Sequence, residues 1–232
     1  FLAWSIVRYR NRPGHTAHFD PESAKLEKRL TFWTGVGIAG MLAPGLIAWH
    51  EFVSVPDDAA IVEATGQQWQ WGYRFPGKDG VLGTANVSHI TPENSFGLNP
   101  RDPHGRDDIL VETNELRLPV GKPVKMVLRS KDVLHDFYVP QFRAKMDLVP
   151  GIVTYFWMTP TRTGTYEVLC AELCGTGHHM MRSTVIVSKQ RDFDDWLAEQ
   201  PTFGQLLAEA AAPGGAELAQ AGLPALAAKG ER

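Results

Sequence analysis

Residues 170–181 read Cys-Ala-Glu-Leu-Cys-Gly-Thr-Gly-His-His-Met-Met and contain both cysteines of a 232-residue chain. Two thiols, an imidazole and a thioether so close together form a donor set for a soft metal. Magnesium and calcium take oxygen ligands, and a structural zinc site closes with Cys and His, so the methionine turns the reading toward copper. A copper centre of this kind needs a second imidazole from elsewhere in the fold. His135 is the candidate, because it stands in Val-Leu-His-Asp-Phe-Tyr-Val-Pro, a β-branched and aromatic run that predicts a strand end. His135, His178, Met181 and one cysteine complete a single-copper site. One thiolate is then left over, and two thiolates between two imidazoles serve better as bridges between two ions. A Cys pair spaced by three is also a candidate disulfide or redox switch outside the cytoplasm.

The pattern Cys170-x-Glu172-x-Cys174-x3-His178-x2-Met181, with His135 upstream in Asp-Val-Leu-His, resembles the binuclear CuA site of cytochrome c oxidase subunit II. The resemblance extends over residues 1–200, through Gly-Gln-Gln-Trp-Gln-Trp-Gly-Tyr at 66–73 and Val-Pro-Gln-Phe-Arg-Ala-Lys-Met-Asp-Leu-Val-Pro-Gly at 139–151. It implies that Cys170 and Cys174 bridge two coppers, that His135 and Met181 complete one, and that His178 with the Glu172 carbonyl completes the other. It further implies that the Glu172 side chain binds Mg²⁺ or Mn²⁺ at a boundary with subunit I, and that Trp69 is where electrons arrive from cytochrome c. Asp132 and Asp147 are the implied docking acids, while Lys131 stands where the family commonly has another acid. His179 and Met180 match no ligand position. The implied role is electron input to a terminal respiratory oxidase, with oxygen reduced at a haem and copper centre in subunit I and subunit III also present. The implied fold is an all-β, cupredoxin-like Greek-key barrel.

Hydrophobic residues make up 44% of the chain and the net charge is −3, which leaves no basic surplus for nucleic acid. The charge is unevenly spread: +3 over residues 1–30, −5 over 51–200 and −1 over 201–232. Residues 31–50 contain no Asp, Glu, Lys or Arg, a length suited to crossing a bilayer core, and Trp33 and Trp49 lie where an interfacial belt would be. The basic residues Arg8 to Arg29 precede this span, so the positive-inside rule puts residues 8–30 in the cytoplasm and the copper domain outside, on a bacterial plasma membrane. Residues 1–7 are apolar and too few to span, and resemble the tail of a first helix in the family's transmembrane hairpin. The sequence is therefore expected to begin inside that helix.

From Val62 to Val187, short β-branched and aromatic runs are broken by Gly, Pro and Asn, as in an all-β sandwich or barrel. Predicted strands include 109–112, 123–128, 135–139, 152–158, 165–169 and 184–187. Residues 79–108 read as a long inserted loop and 192–199 as a short helix. On a strand, Trp69, Trp71 and Tyr73 would point to one face. The domain is expected over 51–200, followed at 201–232 by an Ala-rich linker or tail. That tail also resembles the lead-in to a fused cytochrome c domain, with a covalent haem c and a tethered donor, lying beyond Arg232. Three rivals remain. A Sco-like copper chaperone is membrane-anchored with a Cys-x3-Cys pair and a distant His, but its thioredoxin-like fold requires a helix after the second cysteine. Nitrous oxide reductase carries a similar CuA domain without a membrane span, and the quinol oxidase relative lacks the copper ligands.

Overall fold

In a computed structural model, residues 1–16, 21–91 and 94–211 are described. The chain divides into two units, Phe1–His50 and Glu51–Arg232. Two helices open the chain, α1 (Leu2–Arg8) and α2 (Ala24–Val53). α2 has a mean hydropathy of 1.5 over its best 18-residue stretch, and none of that stretch is buried against protein. Its 30 residues extend about 45 Å, more than the roughly 30 Å of a bilayer's hydrocarbon core. The span expected at 31–50 is thus the apolar middle of a longer helix. Residues 24–30, assigned from sequence to the loop 8–30, form its first two turns, because Lys, Glu, Arg and Leu favour helix and no Gly or Pro interrupts them. Pro44 lies within the helix, which membrane spans tolerate.

Among its described residues the second unit has ten strands: β1 (Ala60–Gln67), β2 (Gln70–Phe75), β3 (Ile109–Val111), β4 (Glu115–Pro119), β5 (Val124–Ser130), β6 (His135–Val139), β7 (Ala144–Leu148), β8 (Thr154–Met158), β9 (Gly164–Cys170) and β10 (Arg182–Ser188). They form two five-stranded sheets, ordered β3-β2-β1-β5-β8 and β4-β10-β9-β6-β7. β1 runs parallel to β5 and β4 parallel to β10, while the other pairings are antiparallel. The chain crosses repeatedly between the sheets, which makes a cupredoxin-like Greek-key sandwich. Alternation sets the core: Val124, Met126 and Leu128 of β5 face inward, as do Val185 and Val187 of β10 and Phe137 and Val139 of β6. Each such side chain contributes about 1.5–3 kcal/mol by leaving water. Trp71 and Tyr73 belong to this core, but β2 begins only at Gln70, so Trp69 lies in the preceding turn and its ring leaves the ladder.

The 79–108 segment carries a second, smaller core, in which Phe96 and Leu98 pack with Leu110 and Phe203. Arg74, fully buried, anchors the segment by donating to Glu63 at 2.8 Å, to Asp108 at 2.6 Å and to the Gly83 carbonyl at 2.8 Å. Charges this deep are tolerated only when paired on all sides. Two helices close the domain, α3 (Gln190–Ala198) and α4 (Phe203–Ala211). α4 corrects the expectation that residues from 201 onward form a linker or tail. Phe203 is fully buried, its N–H donates to the Asp108 carbonyl at 2.8 Å, and Leu206 and Leu207 pack beneath it. The rest of the expected tail, including the lead-in to a haem domain, lies outside the described residues.

Candidate metal centre

Three chain segments converge on the two cysteines. Cys170 ends β9 and Met181 directly precedes β10, so the ligand loop joins two paired strands. The Cys170 N–H donates to the Met181 carbonyl at 3.2 Å, and the Ala171 N–H to the Asp136 carbonyl at 3.2 Å, holding both ends of the loop. His135 opens β6, whose Phe137 lies opposite Cys170, so the register carries the imidazole to the loop. Gly66 of β1 makes room for it: a Cβ there would sit 3.1 Å from the His135 ring.

The cysteines are not bonded, because their sulfurs lie 3.7 Å apart against about 2.05 Å in a disulfide. A metal ion bound tetrahedrally at about 2.3 Å by two thiolates holds their sulfurs about 3.8 Å apart, and a thiolate and an imidazole nitrogen about 3.5 Å apart. Cys170 Sγ lies 3.9 Å from His135 Nδ1, and Cys174 Sγ lies 3.6 Å from His178 Nδ1. Met181 Sδ is 3.9 Å from Cys174 Sγ, and the Glu172 carbonyl is 3.2 Å from Cys170 Sγ. These donors have metal-binding spacings. They do not close around one point: the ligand atoms of His135, Cys170 and Cys174 lie within 4.8 Å of one another, but His178 is not in that group. Two imidazoles flanking a sulfur pair, with a thioether beside one sulfur and a carbonyl beside the other, suit two ions sharing two thiolates. The structure places all six of these residues in one cluster. His179 and Met180 are solvent-exposed.

Asp132 orients His135. Its Oδ1 lies 2.8 Å from His135 Nε2, and since a carboxylate only accepts, Nε2 carries the hydrogen and Nδ1 faces the sulfur. Asp132 also accepts from the Val133 and Gln68 N–H groups, each at 2.7 Å. Burial opposes the charged form of Asp132, but these donors outweigh it and hold the carboxyl below the usual range. Burial likewise depresses His135, but the Cys170 sulfur and Asp132 outweigh it and raise its pKa. For Cys170, hydrogen bonds from His135 and nearby backbone overcome burial and lower the thiol to about 6. Cys174 is pushed up to about 11 by burial and by the neighbouring Cys170.

Asp132 thus braces the site from an exposed position, with its carboxylate turned toward His135 and the Gln68 N–H. Lys131 is also turned inward: its Nζ donates to Gln67 at 2.8 Å and lies 5.4 Å from the Phe96 ring centroid. Asp147 is exposed on β7, opposite Asp136. Asp136 is a buried acid that the sequence did not single out. Burial and then the nearby Asp147 carboxylate push it up to about 7, although no hydrogen bond of normal geometry joins the two. The half-buried Glu172 carboxylate makes no hydrogen bond or ion pair among the described residues.

Trp69 is 39% exposed, and its indole N–H donates to the Cys174 carbonyl at 3.3 Å. The ring rests on the ligand loop, where a Cβ on Gly177 would fall 2.3 Å from it. After Cys174 the chain makes only a three-residue 3₁₀ turn, His178–Met180, before β10. The helix that a thioredoxin-like chaperone requires there is absent among the described residues.

The profile of the family described as cytochrome c oxidase subunit II, periplasmic domain, matches residues 60–189. An alternative cytochrome c oxidase subunit 2 of Bradyrhizobium diazoefficiens is 59% identical over 206 residues, covering 89% of this chain and 74% of the relative. The cytochrome c oxidase subunit 2 of Thermostichus vulcanus is 32% identical over 226 residues, covering 82% of this chain and 65% of the relative. The crystal structure of the periplasmic domain of subunit II of cytochrome oxidase from Bradyrhizobium japonicum aligns with a TM-score of 0.46 and 27% identity, covering 62% of this chain and 95% of that one.

Proposed function

The chain belongs to the cytochrome c oxidase subunit II family, a component of an oxidoreductase complex, and on that premise we propose that it is the electron-input subunit of a terminal respiratory oxidase. The observation that carries the reading is the unbonded sulfur pair flanked by His135 and His178. The proposed ligands are His135, Cys170, the Glu172 carbonyl, Cys174, His178 and Met181, holding a binuclear CuA centre. Two coppers sharing bridging thiolates supply one-electron redox chemistry with little rearrangement. The protein's part is to keep the donors in one place: paired strands fix the loop ends, and Asp132 fixes the His135 ring. Trp69 gives an arriving donor an exposed π-system hydrogen-bonded to the Cys174 carbonyl.

The proposed donor is a cytochrome c, soluble or tethered, attracted by the acidic balance of residues 51–200, with Asp147 exposed for docking. Electrons pass on to haem in subunit I, in an assembly that includes subunit III. α2 anchors the chain in a bacterial plasma membrane, with the sheet domain on the outer face. The unpartnered Glu172 carboxylate suits a hard cation, Mg²⁺ or Mn²⁺, at the subunit I boundary. In the assembled complex Glu172→Gln loses that cation and keeps the copper spectrum; retention of stoichiometric Mg²⁺ or Mn²⁺ refutes the assignment. The central test is electron paramagnetic resonance of the copper-loaded chain. Two coppers per chain with hyperfine splitting over two equivalent nuclei support the reading, and a four-line single-copper spectrum overturns it.

A further inference from the structure

We propose that Gln68 is a positioning residue of the metal centre, a clasp whose backbone and side chain tie together the two segments that carry His135 and Cys174. The inference rests on the copper reading above and deepens it. Gln68 lies in the turn between β1 and β2, remote in sequence from both segments. Its backbone N–H donates to Asp132 Oδ2 at 2.7 Å, and the other oxygen of that carboxylate holds His135 Nε2 at 2.8 Å. Its side-chain amide donates to the Cys174 carbonyl at 2.8 Å. One residue therefore reaches both sides of the cage.

Packing does not explain the choice of Gln, because the residue is exposed. What distinguishes it is a donor of the right reach. Among the described residues the Cys174 carbonyl otherwise keeps only the longer bond from the Trp69 indole, at 3.3 Å. The loop accommodates the amide: Gly175 has φ +119, and a Cβ there would lie 2.9 Å from Gln68 Nε2. The carbonyl that Gln68 fixes belongs to a proposed bridging ligand and also seats the Trp69 ring. The clasp thus sets both the geometry of the cage and the contact through which electrons are proposed to arrive.

The test uses the full chain, metal-free and copper-loaded, with three substitutions. Gln68→Leu removes the donor at similar length, Gln68→Glu places a carboxylate against the carbonyl, and Gln68→Lys restores a donor. In the metal-free chain, amide hydrogen exchange of residues 171–177 is expected to quicken about tenfold with Gln68→Leu, as for loss of one hydrogen bond, and more with Gln68→Glu. Gln68→Lys should recover part of the loss. In the copper-loaded chain, the copper count should be unchanged while the hyperfine splitting becomes unequal and single-turnover reduction slows. Wild-type exchange and spectra in both Gln68→Leu and Gln68→Glu overturn the proposal. So does an equal effect of all three substitutions, which marks a nonspecific surface change. The copper count of the unmodified chain judges the copper reading separately, and the exchange rates decide the clasp whatever that count proves to be.

Discussion

Replacing Asp132 by Ala removes the one carboxylate that three donors share: His135 Nε2 at 2.8 Å and the Val133 and Gln68 N–H groups at 2.7 Å. Two consequences add. The imidazole loses the partner that fixes its tautomer and strengthens its Nδ1 lone pair, and its ring is freed to rotate. A hydrogen bond to a charged group contributes about 1.5–3 kcal/mol, which corresponds to roughly 10–100-fold in metal affinity, the range typical of such supporting partners. Asp132→Asn separates charge from shape. With its carbonyl oxygen kept toward His135 and Val133, its NH₂ group faces the Gln68 N–H, so one of three bonds is lost along with the charge. We expect Asp132→Ala to weaken copper binding 10–100-fold and Asp132→Asn less, measured by competition with a copper chelator at fixed pH. A purely docking role for Asp132 predicts the reverse: unchanged copper affinity, with turnover reduced at low salt only. Copper affinity within twofold of wild type in Asp132→Ala refutes the orienting role.

Cys170→Ser or Cys174→Ser should abolish the two-copper spectrum, whereas Met181→Leu should keep both coppers and shift the potential, because an axial thioether binds weakly; equal copper loss in all three contradicts shared thiolates. Between pH 7 and 8 the metal-free centre holds Cys170 mostly as thiolate, its pKa lowered to about 6, and Cys174 as thiol, its pKa raised to about 11. Copper must displace the Cys174 proton and the proton that His135 binds where its raised pKa keeps it charged, so affinity should rise about tenfold or more per pH unit with measurable proton release, and affinity independent of pH over that window refutes the scheme. As the folded pKa of Cys170 is depressed, its contribution to metal-free stability is present above the unfolded thiol's pKa and is lost as pH falls through about 6. Phe203→Ala should cost about 3–5 kcal/mol in denaturant unfolding, as for a fully buried Phe, and leave the copper spectrum intact; a loss below 1 kcal/mol would mean that α4 is not part of the folded domain.

The ligand loop was legible because soft donors are rare and their spacing is short-range information. The strand under His135 was legible for a similar reason, since β-branched and aromatic residues crowd residues 135–139, the span of β6. What stayed hidden depends on contacts distant in sequence. That Asp132 braces His135 was hidden as well, because nothing in Asp-Val-Leu-His tells which way its carboxylate turns. The spacing of Trp69, Trp71 and Tyr73 puts all three rings on one face, and the resemblance rather than the spacing sets Trp69 apart; the turn before Gln70 takes it off the sheet. α4 was missed because Ala-rich composition imitates a linker, while the residue that docks it, Phe203, meets its partners Phe96, Leu98 and Leu110 across about a hundred positions. The role of residues 79–108 was equally opaque, since their anchor is Arg74, a residue outside the segment.

Trp69 lies against the ligand loop, with its indole on the Cys174 carbonyl and its ring over Gly177, while Leu173 at the loop's tip is 80% exposed. The exposed tip of the ligand loop and the exposed indole therefore meet at one short stretch of backbone around the Cys174 carbonyl. On the proposed role of Trp69, a donor that settles on its ring also sits on the loop that carries both cysteines, so crowding at that surface is expected to be felt at the sulfur pair.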